Sequence, residues 1–413
     1  MASKPYTGRA MADAITVFSI AGIIIAIGFL ANVLFKKTGF SDTLFLILIG
    51  IILGPVFSVF SREELLPITP FLTALTLMII LFDAGLNMEI YKVISQSFRA
   101  TILSVMYVVV ATAFVSMFAF FILNFTWLEA LMLGPMTAGT SSVVIIPLIS
   151  KLSVNENVKI TLSLESTITD VLNIVIVLTL LQIYLGGSTS FQVMASTIVA
   201  RFAVGILIGF FVGIIWVKIM GIVKRQEYTY MLTISALILS YVGSELLGGS
   251  GSLTALLFGL TLGNYQEIYK TLRRKTDLSY MQETTRIVRH FQGEISFLMH
   301  AFFFVFLGVI YLPDWSGMIF AGIIIAVNIV FRYAAVTIST YKTDMYKHRK
   351  LMTLMCGTGL ANATLSIMVY NTLTTQPTPV PHAYLYPLIV ANIIIINNII
   401  TSIAPVLLKL KKK

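Results

Sequence analysis

A chain of 413 residues that is 57% hydrophobic and only 11% charged, with a mean hydropathy of +0.93, lies far from the roughly 25% charged norm of soluble domains. Its net charge of +10 is scattered through short polar connections, with no basic face and no aromatic interleaving, which argues against a nucleic-acid surface. A single cysteine, Cys356, excludes an intramolecular disulfide framework, and the whole composition is that of a polytopic membrane protein.

Apolar windows of about 20 residues predict an all-α chain of thirteen transmembrane helices. They run over 11–35, 42–59, 67–87, 100–124, 128–150, 160–184, 192–217, 229–247, 251–265, 291–312, 316–340, 351–371 and 383–408. The first follows a tail of residues 1–10 and has no small-residue cleavage site, so it reads as a retained helix rather than a signal peptide. The ninth is short and flanked by glycine. Connections after odd-numbered helices carry most of the basic residues, among them Lys36, Lys37, Lys92, Lys151, Lys159, Lys218, Arg273 and Arg274. Lys4, Arg9 and Arg62 fall on the opposite side. By the positive-inside rule the N-terminus lies outside a cell membrane and the C-terminus in the cytoplasm.

The fifth and twelfth helices are interrupted at their middles, by PMTAGTSSVVIIP (135–147) and CGTGLANATLS (356–366). Unwound backbone at membrane depth is tolerated only where it lines a cavity or is buried in protein. An offset of seven helices reverses orientation, so the two breaks predict inverted repeats of about six helices, with a midplane ion site where the breaks meet. Repeat one then covers about 11–184, a linking helix 192–217 and repeat two about 229–408. Close packing of small residues is the competing explanation for either break alone.

The sixth helix contains TLSLESTITDVLN (161–173), with two carboxylates inside a segment otherwise suited to lipid. Ser166, Thr169, Asp170 and Asn173 are spaced i, i+3, i+4, i+7 and share one face, whereas Glu165 points about 140° away from Asp170. The two acids therefore have different neighbours. Intramembrane charges are costly unless paired or hydrated. Arg332, in NIVFRYAAV of the eleventh helix, is the economical partner for Glu165, against the alternative that Glu165 reaches the nearby surface. That pairing leaves Asp170 facing the cavity. Asp83, in IILFDAGLNM of the third helix, is a third acid near a helix end.

These residues resemble the monovalent cation/proton antiporters, particularly the NhaP-type sodium/proton exchangers. LESTITDVLNIV looks like the family's ES-x-x-ND helix, and LFDAGL, FFFVFLG and the helix-eleven arginine match as well. The resemblance implies an antiporter fold, a homodimer, a part in pH homeostasis and alternating access around Asp170, the carboxylate that exchanges proton for cation. It implies coordination by Ser166, Asp83, Thr140 and the residues beside them, Thr169 and Ser141, and the structural Glu165–Arg332 pair. No cofactor is implied beyond the transported sodium, lithium or potassium and the proton. The sequence departs from the family at Thr169, where an asparagine is usual, and at Thr140-Ser141-Ser142, where the family has Thr-Asp-Pro. A second arginine is missing near Gly359. Breaks with threonine and serine also occur in the related potassium/proton branch, so sodium and potassium both remain open. Electrogenic relatives carry two adjacent aspartates; with Thr169 before Asp170 and no lysine in the tenth helix, one-for-one electroneutral exchange is expected.

Other classes have less support. Nothing resembles the carbonyl filter loop of a channel. Gly248-Gly249-Ser250-Gly251 matches a short serine-hydrolase pattern, but it lies in a glycine-rich helix connection. His300 reads as a packing residue, and no metal-ligand cluster or phosphate loop is visible. A transporter rather than an enzyme is expected.

Overall fold

The computed structural model describes residues 42–59, 69–186, 191–222, 229–271, 279–311, 315–374 and 380–408, with isolated positions between 22 and 29. The helix predicted over 11–35 lies almost wholly outside the described residues. The others fall on helices α1 (Asp42–Ile51), α2 (Thr69–Leu86), α3 (Ile90–Ile122), α4 (Trp127–Thr137), α5 (Ser142–Ser150), α6 (Glu156–Tyr184), α7 (Phe191–Ile222) and α8 (Thr229–Leu246). They continue as α9 (Gly251–Gly263), the short α10 (Tyr265–Thr271), α11 (Ser279–Ile310), α12 (Trp315–Ser339), α13 (Arg349–Leu354), α14 (Leu360–Thr374) and α15 (Leu385–Leu407). Among the described residues eight spans are long and apolar enough to cross a membrane, counting α4 and α5 as one.

Two helices are longer than hydropathy predicts. Helix α3 begins at Ile90 and α11 at Ser279, about ten residues before their apolar runs. Those first turns carry Lys92 and Arg99, or Arg286 and Arg289, so they continue the helix beyond the apolar slab that a hydropathy window detects. Helix α1 ends in a π-helical turn, Ile52–Val56, which contains Pro55. A proline has no N–H to give, and the widened turn is one way a helix absorbs that loss.

The helices sort into two bundles by their packing. In one, α2 lies against α9 and α11, α9 against α7 and α8, and α11 against α1. Gly85 and Gly259 bring α2 and α9 close: a Cβ at Gly259 would lie 2.3 Å from the Phe82 carbonyl. In the other, α3 packs on α4, α6 and α12, while α15 packs on α12, α13 and α14. The bundles touch through α2 with α5 and α14, α6 with α7, and α1 with α15. Ser250, of the hydrolase-like pattern, is the N-cap of α9, its Oγ accepting from the Leu253 N–H at 3.4 Å.

Candidate functional site

Both predicted breaks are present and they cross. The chain unwinds between α4 and α5 at residues 138–141 and between α13 and α14 at 355–359, and the Ser141 N–H donates to the Gly357 carbonyl at 2.8 Å. The contact is tight because position 359 has no side chain: a Cβ there would lie 2.2 Å from Ser141 Oγ. The missing second arginine near Gly359 thus coincides with a place where the other break occupies the space. Gly139 adopts φ +138°, a conformation that favours glycine, and a Cβ there would collide with Asn173 Nδ2 at 2.5 Å.

Unwinding frees backbone groups, and each set has a partner of complementary charge. Helix α5 begins at the crossing, and the Ser142 N–H donates to Asp170 Oδ2 at 3.2 Å. A carboxylate at this position meets both an orphan N–H and the positive end of the half-helix dipole. At the other break α13 ends, exposing carbonyls and a negative dipole end. Arg332 Nε donates to the Met352 and Thr353 carbonyls at 3.2 and 3.1 Å, and its Nη2 to the Met355 carbonyl at 2.9 Å.

The same guanidinium grips Glu165 in a two-pronged pair, Nη1 to Oε1 at 2.5 Å and Nη2 to Oε2 at 2.9 Å. Both side chains are 0% exposed. The Tyr107 ring lies 5.1 Å from the guanidinium carbon and supplies a cation–π face. Five polar contacts and a ring leave little of the arginine's charge unmatched, which is what a buried ion needs.

Around Asp170 the helix-six face predicted from spacing is lined with hydroxyls. Thr169 Oγ1 donates to the Thr140 and Ser166 carbonyls, each at 3.0 Å. Ser166 Oγ donates to the Ser163 carbonyl at 3.0 Å and accepts from Ser142 Oγ at 3.3 Å. Thr140 Oγ1 is buried without a hydrogen-bond partner among the described residues. Asp170, Thr169, Ser166, Thr140 and Ser141 are therefore together at the crossing. Ser142 joins them through its Oγ and through a backbone N–H given to the carboxylate, and was missed as a site residue because no side-chain pattern reveals that N–H.

Asp83 is placed differently. It lines a cavity of about 310 Å³ between the two bundles, facing Ser296 and His300 of α11 on one side and Lys151, Lys159, Ile160 and Ser163 on the other. Asn87 Nδ2 donates to its Oδ1 at 3.3 Å. No described hydrogen bond joins it to Asp170. The cavity reaches Ser163, two turns of α6 before Asp170, but Asp170 does not line it, so Asp83 lies apart from the crossing. His300 packs edge-on against Phe304, with ring centroids 4.7 Å apart. Among the described residues there is no group of three or more His, Cys, Asp or Glu able to hold a metal ion.

A family profile described as the transmembrane sodium/hydrogen exchanger matches residues 22–409. The chain is 26% identical over 407 residues to Na(+)/H(+) antiporter 1 of Methanocaldococcus jannaschii, covering 94% of this chain and 92% of that protein. It is 28% identical over 256 residues to the K(+)/H(+) antiporter NhaP2 of Shewanella baltica, covering 60% of this chain and 43% of the relative. The match thus spans less than half the length of the NhaP2 relatives. The solved structure of the sodium proton antiporter MjNhaP1 from Methanocaldococcus jannaschii at pH 8 superposes with a TM-score of 0.71 at 23% identity, covering 96% of each chain. A second structure of that antiporter, from an electron-microscopy map, gives 0.76.

Proposed function

Since the chain belongs to the transmembrane sodium/hydrogen exchanger family, we propose that it is a secondary antiporter, exchanging one monovalent cation for one proton at Asp170. The observation that carries this reading is the Asp170 carboxylate at the N-terminal end of α5, beside two crossed breaks and a cluster of hydroxyls. Carboxylate, hydroxyl and carbonyl oxygens are the ligands a hard monovalent ion prefers. Asp170, Ser166 and Thr140 are read as the coordinating set, with Thr169 and Ser141 shaping the break and Asp83 receiving the ion on its approach.

Proton and cation compete for the same carboxylate. Either one neutralises it, whereas the bare anion is too costly to carry across a closed, dry interface. The loaded site passes from one side to the other as the α3–α6 and α12–α15 bundle moves against its neighbour, with the inverted repeats providing the two matching halves. Lys151, Lys159 and Glu156 line the mouth of the cavity. With the basic connections in the cytoplasm, this conformation faces inward. Glu165 and Arg332 form a structural pair that ties α6 to α12 and to the end of α13.

Sodium is the favoured cation, because the similarity to the archaeal sodium/proton antiporter runs nearly end to end whereas that to the potassium/proton antiporters covers only part of the chain. Potassium is the second reading, supported by the Thr140-Ser141-Ser142 break, which carries no aspartate. In proteoliposomes holding a proton gradient, added sodium should dissipate the gradient through the wild-type protein. Asp170→Asn, which keeps shape but removes the charge, should fold normally and give no dissipation. Exchange retained in that variant would overturn the reading, and dissipation by potassium alone would decide for the second one.

A further inference from the structure

The two breaks are held by mirrored side-chain amides. Asn173 of α6 donates from Nδ2 to the Ala138 carbonyl at 2.7 Å, and Asn398 of α15 donates from Nδ2 to the Thr358 carbonyl at 3.0 Å. Each amide packs against a glycine of its break: a Cβ at Gly139 would lie 2.5 Å from Asn173 Nδ2, and one at Gly357 2.9 Å from Asn398 Oδ1. Both amides are buried, Asn173 at 1% and Asn398 at 0% exposure. The sequence around the glycines repeats as well, Ala138-Gly139-Thr140 against Cys356-Gly357-Thr358. Asn173 sits in the repeat that carries Asp170. Asn398 sits in the other repeat, which supplies no titrating acid at the crossing.

A continuous path nevertheless links Asn398 to the carboxylate. Its Nδ2 holds the Thr358 carbonyl, the adjacent Gly357 carbonyl accepts from the Ser141 N–H, and the next residue along, Ser142, gives its N–H to Asp170 Oδ2. Three hydrogen bonds and two short stretches of backbone therefore separate the amide from the ion site. We propose that Asn398 is a positioning residue for cation binding: acting from the second repeat, it fixes the height of the Gly357 carbonyl and, through it, the Ser141–Ser142 backbone that faces Asp170. Releasing the Thr358 carbonyl lets the unwound segment shift, and the Ser142 N–H then loses its aim at the carboxylate. The burial of Asn398 and the collision awaiting any side chain at Gly357 both fit a clamp held under tight steric control.

The inference rests on the exchange reading above, and its test separates the two. Asn398→Leu keeps the side-chain volume and removes the donor. In proteoliposome exchange at fixed pH it should raise the KM for sodium about five-fold, the effect of losing roughly one hydrogen bond's worth of free energy at the site, with kcat within about two-fold of wild type. Gly357→Ala, which presses on the same amide and on Val144 Cγ1, should move KM in the same direction and serves where the leucine variant does not fold. A merely structural amide would lower the amount of active protein, and hence the maximal rate, with KM unchanged; an unchanged KM in whichever variant folds overturns the proposal. Absence of exchange in the wild-type protein would strike instead at the reading on which it rests.

Discussion

Glu165 and Asp170 are five positions apart on one helix and have opposite environments. Glu165 is spent on Arg332, which is in turn spent on the carbonyls that end α13. Removing one partner strands a buried charge, a loss of about 3–5 kcal/mol. Glu165→Gln or Arg332→Met should therefore each lower the melting temperature in detergent sharply, and the double variant should recover part of the loss. Strictly additive losses would show that the two side chains are not energetically coupled. This contact was legible in the sequence, because the 140° separation on helix six and the single arginine deep in helix eleven left each residue one economical partner. Ser142 and Asn398 were not. The first works through its backbone, and the second is one of two adjacent asparagines in IIIINNII, a run whose hydropathy says helix and nothing about which amide meets which carbonyl.

At the scale of elements, the breaks were visible because glycine, serine, threonine and proline interrupt two otherwise lipid-suited runs, and backbone freed in a membrane must find partners. Their crossing at Ser141 and Gly357 was implied by symmetry alone; the hydrogen bond itself depends on a few ångströms of packing that no spacing encodes. Helix ends were read less well, since charged first turns such as those of α3 and α11 lie beyond the apolar slab. A side-chain contact between the bundles lies away from the large cavity, where Tyr311 Oη donates to Asn392 Oδ1 at 2.9 Å, next to a small cavity of about 20 Å³ lined by Leu307, Ser366, Ala391 and Ile395. This bond joins the end of α11 to α15, and on the inward-facing reading proposed above it would hold the outer side shut. Tyr311→Phe removes one hydrogen bond and should favour opening there by about two- to ten-fold. With Cys356 replaced by serine and a cysteine introduced at Ala391, labelling by an impermeant thiol reagent added outside should speed up in the phenylalanine variant. Equal labelling rates would show that the contact does not hold the gate.

The described residues form two helix bundles, with one buried carboxylate–guanidinium pair, Glu165–Arg332, and a second carboxylate, Asp170, with no cationic partner at the crossing. With Thr169 beside Asp170, and Asp83 in the cavity rather than at the crossing, the proposed exchange hands over one proton for one cation and would move no net charge. The most direct test is the reversal point of sodium exchange in proteoliposomes at fixed sodium and proton gradients, with the membrane potential imposed by a lipophilic-ion clamp so that potassium is never a confounding substrate. One-for-one exchange at Asp170 requires that the reversal point stay where the two chemical gradients balance at every imposed potential. A reversal point that moves with the potential would mean that a second charge crosses in each cycle, and would contradict a site built on one titrating carboxylate.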